Sequence, residues 1–123
     1  MPTYTPSGAA TRSGFSLDTL RYYERIGLLS GVVRSSSGHR VFTDEDLEWL
    51  GVLRCLRDTG MPISDMQRYA ELARDGEQTM TERLDLLREH AKAVEEHLAL
   101  LAAQYQHLQA KIAWYEGELS IIP

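Results

Sequence analysis

At 123 residues, with a net charge of −5 and a single cysteine, the chain has room for one modest domain plus an extended element. The lone Cys55 excludes an internal disulfide framework and a multi-cysteine zinc site within one chain, and it fits a reducing compartment. No stretch approaches the apolar run of a membrane span and no signal-peptide pattern opens the chain, so the expected location is cytoplasmic, with no membrane partner. Net acidity argues against a polyanion as partner, but the charge is unevenly spread. Residues 1–42 hold Arg12, Arg21, Arg25, Arg34 and Arg40 against Asp18 and Glu24, whereas residues 61–123 hold six basic against eleven acidic side chains. The first half is locally basic.

Thr5 followed by Pro6 predicts a helix start, because proline at the first helical position lacks an N–H that would have no partner there. The helix runs to about Arg12, weakened by Gly8, with Ala9 and Ala10 as its packing side, and Gly14 supplies a tight turn. Ser16 to Arg25, SLDTLRYYER, is amphipathic at helical spacing. Leu17, Leu20 and Tyr23 fall on one side, and Asp18, Arg21, Tyr22 and Arg25 on the other, a face equipped to meet an anion or simply to be solvated. Ser16 is placed to cap it, Asp18 suits the positive end of the dipole, and Gly27 marks the stop. The local order is helix, turn, helix. Leu28 to Phe42 has no helical period and reads as two short strands about a turn at Gly38, a wing carrying Arg34, His39 and Arg40.

Thr43 opens the next helix with TDED, a capping-box arrangement, followed by an apolar face of Leu47, Trp49, Leu50, Val52, Leu53 and Leu56, stopped by Gly60. A fourth helix is predicted from about Ile63 to Arg74, with Ile63, Met66, Tyr69, Ala70 and Ala73 inward. Beyond it, Met80, Leu84, Leu87, Ala91, Val94, Leu98, Leu101, Tyr105, Leu108, Ile112, Tyr115 and Leu119 alternate in steps of four and three, an unbroken heptad seam. Thr79 to Glu82 reads as its capping box, and the helix to Glu118 would be about 60 Å long. A stripe of that length needs a partner helix, and the economical partner is the same helix of a second copy; folding back on the head is the alternative. The expected organisation is a compact head over 1–75, a dimerisation helix over 76–118 and a tail over 119–123.

The runs TLRYYERIGLL (Thr19 to Leu29), SGHRVFTDEDL (Ser37 to Leu47) and LRCLRDTGMPISDM (Leu53 to Met66) resemble the head of the MerR family of bacterial transcription regulators, over Tyr4 to Leu72. The resemblance implies a mainly α fold, a winged helix-turn-helix head followed by a long helix forming an antiparallel coiled-coil homodimer. It also implies that Ser16 to Ile26 enters a major groove of double-stranded promoter DNA. Carried over by residue, Asp18 and Arg21 are expected at base edges, Thr19 and Tyr22 at phosphates, and Arg40 at a wing phosphate. Arginine can pair bidentately with guanine and an acid can accept from cytosine, while hydroxyls on phosphates set register. Glu24, near the Leu20 side, is expected instead to pair with an arginine inside the head. His39 stands where the family usually has an aromatic, most often tyrosine, which predicts a phosphate contact that is weaker or pH-dependent. Pro6, Ser7 and Gly8 likewise replace the family's usual Ile-Gly-Glu. By the same analogy the dimer twists and bends an overlong promoter so that RNA polymerase engages both its elements.

For the signal, the five residues after Glu118 hold no drug-binding domain, and the cysteines of the metal-sensing branch are missing at the start and end of the long helix. No cofactor or bound metal is expected. Cys55, within LRCLRDTGMP, resembles the small branch that answers to aldehydes or other electrophiles through one cysteine in this helix. The alternative is a small packing residue, with the effector a metal or unidentified. His90 and His97 with Glu95 or Glu96 are a weaker metal set, next to the reading of solvated flank residues. No nucleophile, base and orienting group assemble into an enzyme site, and the competing non-enzyme reading is a coiled-coil interaction module.

Overall fold

The computed structural model describes residues 2–121. The element order is β1 (Thr3–Tyr4), α1 (Pro6–Ser13), α2 (Leu17–Arg25), β2 (Val33–Arg34), β3 (Arg40–Thr43), α3 (Asp44–Asp58), α4 (Ile63–Arg74), a 3-10 turn (Glu77–Thr79) and α5 (Met80–Ile121). The fold is mainly helical with a small wing sheet and a long final helix, as expected. No helix among the described residues is long and apolar enough to cross a membrane. The chain divides into two compact units, residues 1–86 and 87–123.

In the first unit, α1 starts as its sequence dictates: the Thr5 side chain accepts from the Gly8 N–H at 3.0 Å and Pro6 occupies the first turn. Gly14 ends it at φ +79, a left-handed conformation that disfavours any other residue, and Arg54 Nη1 occupies the space where a Cβ would point. Arg54 uses that space to donate to the Ser13 carbonyl at 3.0 Å. Ser16 caps α2 by accepting from the Thr19 N–H at 3.1 Å. Leu20 and Tyr23 are buried, and the Tyr23 ring meets Phe15 edge-on at 5.2 Å. Thr43 and Asp46 form both halves of the capping box that opens α3.

The sheet has the order β1-β3-β2, antiparallel throughout. β2 and β3 are the expected hairpin, with Val33 opposite Val41 and Arg34 opposite Arg40. β1 was not legible, since two residues carry no alternation; it pairs Thr3 with Thr43 and Tyr4 with Phe42. Phe42, Leu28, Leu29, Leu50, Leu53 and Met66 form the centre of the core. Three residues of the expected apolar faces are not in it: Leu17, Val52 and Ile63 are exposed, while Leu72, not among the expected inward residues, is buried.

The expected capping box at Thr79 is also corrected. Thr79 is buried, its hydroxyl donates to the Leu72 and Gly76 carbonyls, and it accepts from Arg83 Nε at 3.1 Å. It therefore closes the turn after α4 rather than capping α5.

α5 runs 42 residues to Ile121, past the expected end at Glu118, so Leu119 to Ile121 are helical; residues 122–123 of the expected tail lie outside the described residues. None of its described side chains is buried within one chain. Leu98, Leu101, Tyr105, Leu108 and Tyr115 of the seam are all more than half exposed.

Candidate nucleic-acid interface

The outward face of α2 carries the polar residues that helical spacing puts there. Asp18 and Arg21, one turn apart, lie 3.5 Å from each other with side chains 96% and 62% exposed. An ion pair so solvated contributes little, so it does not hold Arg21 back from a better partner. The Thr19 hydroxyl accepts from Ser16 Oγ at 2.9 Å, and the exposed Tyr22 ring has the Arg25 guanidinium 5.5 Å from its centroid.

The wing stands beside this face. Its turn is closed by the Gly38 N–H donating to Ser35 O at 2.9 Å and the Ser35 N–H donating to His39 O at 2.7 Å. Between β1, α2 and the hairpin lies an open cleft of 580 Å³, lined by Arg21, Arg34, His39 and Arg40 together with Thr3, Tyr4 and Thr5. Three arginines and a histidine line this one space, so basic side chains are concentrated there. Of the residues expected at the interface, Arg21, His39 and Arg40 thus share a cleft; Asp18, Thr19 and Tyr22 occupy the neighbouring face of α2.

Arg40 does not simply point outward. Its Nε donates to Glu24 Oε2 at 2.8 Å, and Arg34 Nη2 lies 3.6 Å from Glu24 Oε1. The expected pairing of Glu24 with an arginine of the head is therefore present, and it involves the arginine assigned to a phosphate. Arg34 was the residue that sequence reasoning left without a role. The hairpin register that sets it opposite Arg40 was the available signal, because like charges directly across a strand pair demand a counter-charge.

The far end of α2 is held from behind. Gln67 Nε2 donates to Ile26 O at 3.0 Å, Arg74 Nη1 to Gly27 O at 2.7 Å, and Trp49 Nε1 to Leu28 O at 2.7 Å. The Trp49 ring stacks on Tyr69 at 5.8 Å with an interplanar angle of 6°. On the opposite side of N-terminal Tyr4, its hydroxyl donates to Asp44 Oδ1 at 2.7 Å, which raises the tyrosine pKa, and the Arg12 guanidinium covers its ring at 4.7 Å.

Cys55 lines none of this cleft and is exposed on α3, so the packing reading of its side chain has no core to join. Among the described residues of one chain, no three His, Cys, Asp or Glu side chains gather as a metal set.

The comparisons agree with this geometry. The family model described as "MerR HTH family regulatory protein" matches residues 4–72, and "MerR, DNA binding" matches residues 47–111. An uncharacterized HTH-type transcriptional regulator of Haemophilus influenzae is 43% identical over 93% of this chain and 84% of its own length. The HTH-type transcriptional regulator AdhR of Bacillus subtilis is 37% identical over 63% of this chain and 56% of its own. Among solved structures, HiNmlR, a MerR family regulator lacking the sensor domain and bound to promoter DNA, superposes with a TM-score of 0.91 at 41% identity, covering 98% of this chain and 95% of that one. A family model over more than half the length and a near-full-length relative at 43% identity establish that the chain belongs to the MerR family of DNA-binding transcription regulators.

Proposed function

We propose that the protein works as a homodimer whose two α2 helices enter successive major grooves of one promoter, each flanked by its wing. In this reading Arg21 and Asp18 meet base edges, Thr19 and Tyr22 hydrogen-bond phosphates, and His39 and Arg40 meet the backbone beside the groove. The observation that carries it is the cleft in which Arg21 of α2 and Arg34, His39 and Arg40 of the wing face one space in an otherwise acidic chain. The likeness to HiNmlR, which is bound to promoter DNA, supports promoter DNA as the ligand.

The support for a dimer comes from α5. A 42-residue helix none of whose described side chains is buried within one chain is not stable alone in water, and an antiparallel copy would cover the stripe. One head offers few phosphate contacts, so a dimer spanning two half-sites is required for tight binding. A dimer that grips two half-sites can twist and bend the DNA between them, bringing separated promoter elements to RNA polymerase. The signal we assign is a small electrophile such as an aldehyde, meeting the exposed Cys55 thiol.

The test of the interface is Arg21→Ala with Tyr22→Phe. Both side chains are exposed, so fold and dimer should survive while affinity for promoter DNA falls at least about tenfold. Unchanged promoter binding by an intact dimer would overturn the reading in favour of an interaction module.

A further inference from the structure

Glu24 differs from the other acid of α2 in facing the wing rather than solvent. Its two oxygens are shared between two guanidiniums: Oε2 accepts from Arg40 Nε at 2.8 Å, and Oε1 lies 3.6 Å from Arg34 Nη2. The Glu24 and Arg40 side chains are 25% and 29% exposed, so the pair is partly withdrawn from water and stronger than a surface ion pair. Arg34 has a second anchor, Nη1 donating to Gly38 O at 3.2 Å across the turn. Arg40 spends Nε on Glu24, which leaves its terminal nitrogens for an incoming phosphate.

For affinity alone this acid is a poor choice, because it cancels positive charge where phosphates approach. What it supplies is geometry. Arg34 and Arg40 are direct cross-strand partners, and their mutual repulsion pushes the two guanidiniums apart unless a counter-charge stands between them. That counter-charge sits on the same helix as Arg21, one turn away, so the wing arginines and the reading face of α2 are fixed as one body. A guanidinium that wanders finds a phosphate on any duplex. One held in place meets a phosphate only when the backbone lies where the correct base register puts it.

We propose that Glu24 is a specificity-determining positioning residue: it ties the wing arginines to the base-reading helix, so that a backbone contact is made only in register with base contacts. This rests on the interface proposed above, and it predicts an unusual signature. Glu24→Gln, which keeps size and loses charge, should bind specific DNA more weakly and unrelated DNA more tightly. The ratio of the two affinities should fall about tenfold, and the salt slope on unrelated DNA should steepen by about one. Glu24→Asp, which keeps the charge but falls one methylene short, should keep wild-type affinity for unrelated DNA while losing discrimination.

The experiment uses the full chain, a duplex it selects from a randomised pool and a shuffled duplex of the same composition, titrated at several salt concentrations, with melting curves to correct for folded fraction. A parallel fall on both duplexes, or an unchanged ratio in Glu24→Gln, would overturn the proposal by making Glu24 merely structural or dispensable. Wild-type discrimination in Glu24→Asp would overturn it by making charge, not position, the effective quantity. Arg34→Ala and Arg40→Ala separate this from the interface itself. If they bind both duplexes as wild type does, the wing reading fails and the proposal with it; if they weaken binding while Glu24→Gln keeps its ratio, the proposal alone fails.

Discussion

Trp49 and Leu28 are joined by one hydrogen bond, indole Nε1 to backbone carbonyl at 2.7 Å, across 21 positions of sequence. Leu28 is fully buried, so its carbonyl has no water to turn to. Trp49→Phe keeps the aromatic face that stacks on Tyr69 and deletes the donor alone. It should destabilise the head by about 1–3 kcal/mol, the penalty for a buried acceptor left unmet. Arg74→Ala removes the neighbouring donor to Gly27, but Arg74 is exposed and water can replace it, so about 1 kcal/mol or less is expected. Urea denaturation of the two variants should show that order, and equal losses would mean that the indole N–H is not the operative group.

Elements with strong local signals are legible in the sequence. Ser16, Thr43 and the glycines at 14, 27 and 38 each combine a residue preference with a backbone need, and all occupy the expected caps and turns. The seam of α5 was legible for a similar reason, twelve positions repeating one period. What escaped were features created by tertiary proximity. β1 is too short to carry a pattern, and Thr79 looked like a cap because a Thr three residues before a Glu is also what a buried turn-closing threonine offers. The three donors to Ile26, Gly27 and Leu28 come from residues 41, 47 and 21 positions away, and no local rule relates them. The cleft was half legible: its arginines were visible as a charge bias, but their sharing of Glu24 depends on the hairpin register.

Cys55 is exposed one turn from Gly51, around which a Cβ would meet nothing within 4 Å. A side chain outside the core has little packing to lose. Cys55→Ser should therefore change stability by no more than about 0.5 kcal/mol, whereas Leu53→Ala, two residues earlier and fully buried, should cost about 2–5 kcal/mol. Denaturation midpoints measure both. On the signalling side, the same Cys55→Ser protein should fail to activate a reporter promoter when cells meet formaldehyde or a nitrosothiol. Normal activation would remove Cys55 from the signal path.

Asp58 offers a pH dependence whose sign can be worked out. Hydrogen bonds from Arg57 and Arg54, at 3.1 Å and 3.2 Å, hold its pKa below the ordinary 3.8. A carboxyl depressed by folding contributes stability above 3.8 and loses it as pH falls through the lower folded value. The same arginines do structural duty, Arg54 donating to Ser13 O and Arg57 lying 4.6 Å over the Phe15 ring. Asp58→Asn should thus be less stable than wild type by a constant margin at neutral and mildly acid pH. The margin should close as pH drops below 3.8. Thermal melts at pH 7, 5 and 3 test this, and a margin that persists undiminished at pH 3 would show that the carboxylate is not its source.

Leu98 lies at the middle of the α5 seam and is 60% exposed in one chain. If a second copy covers the seam, the two Leu98 side chains are buried in the paired helices, and an aspartate there would place a carboxylate in an apolar interface without a counter-charge. The cost of such burial is several kcal/mol per ion, counted on both helices of a symmetric pair. That exceeds what the remaining seam contacts can tolerate at micromolar concentration. Leu98→Asp should therefore sediment as a monomer and lose affinity for a two-half-site promoter far more than for a single half-site, because the head itself is unaltered. Leu100→Asp is the control: Leu100 is 55% exposed but lies off the four-and-three spacing, so the dimer should survive. Dimers from Leu98→Asp with monomers from Leu100→Asp would move the interface to another face of α5.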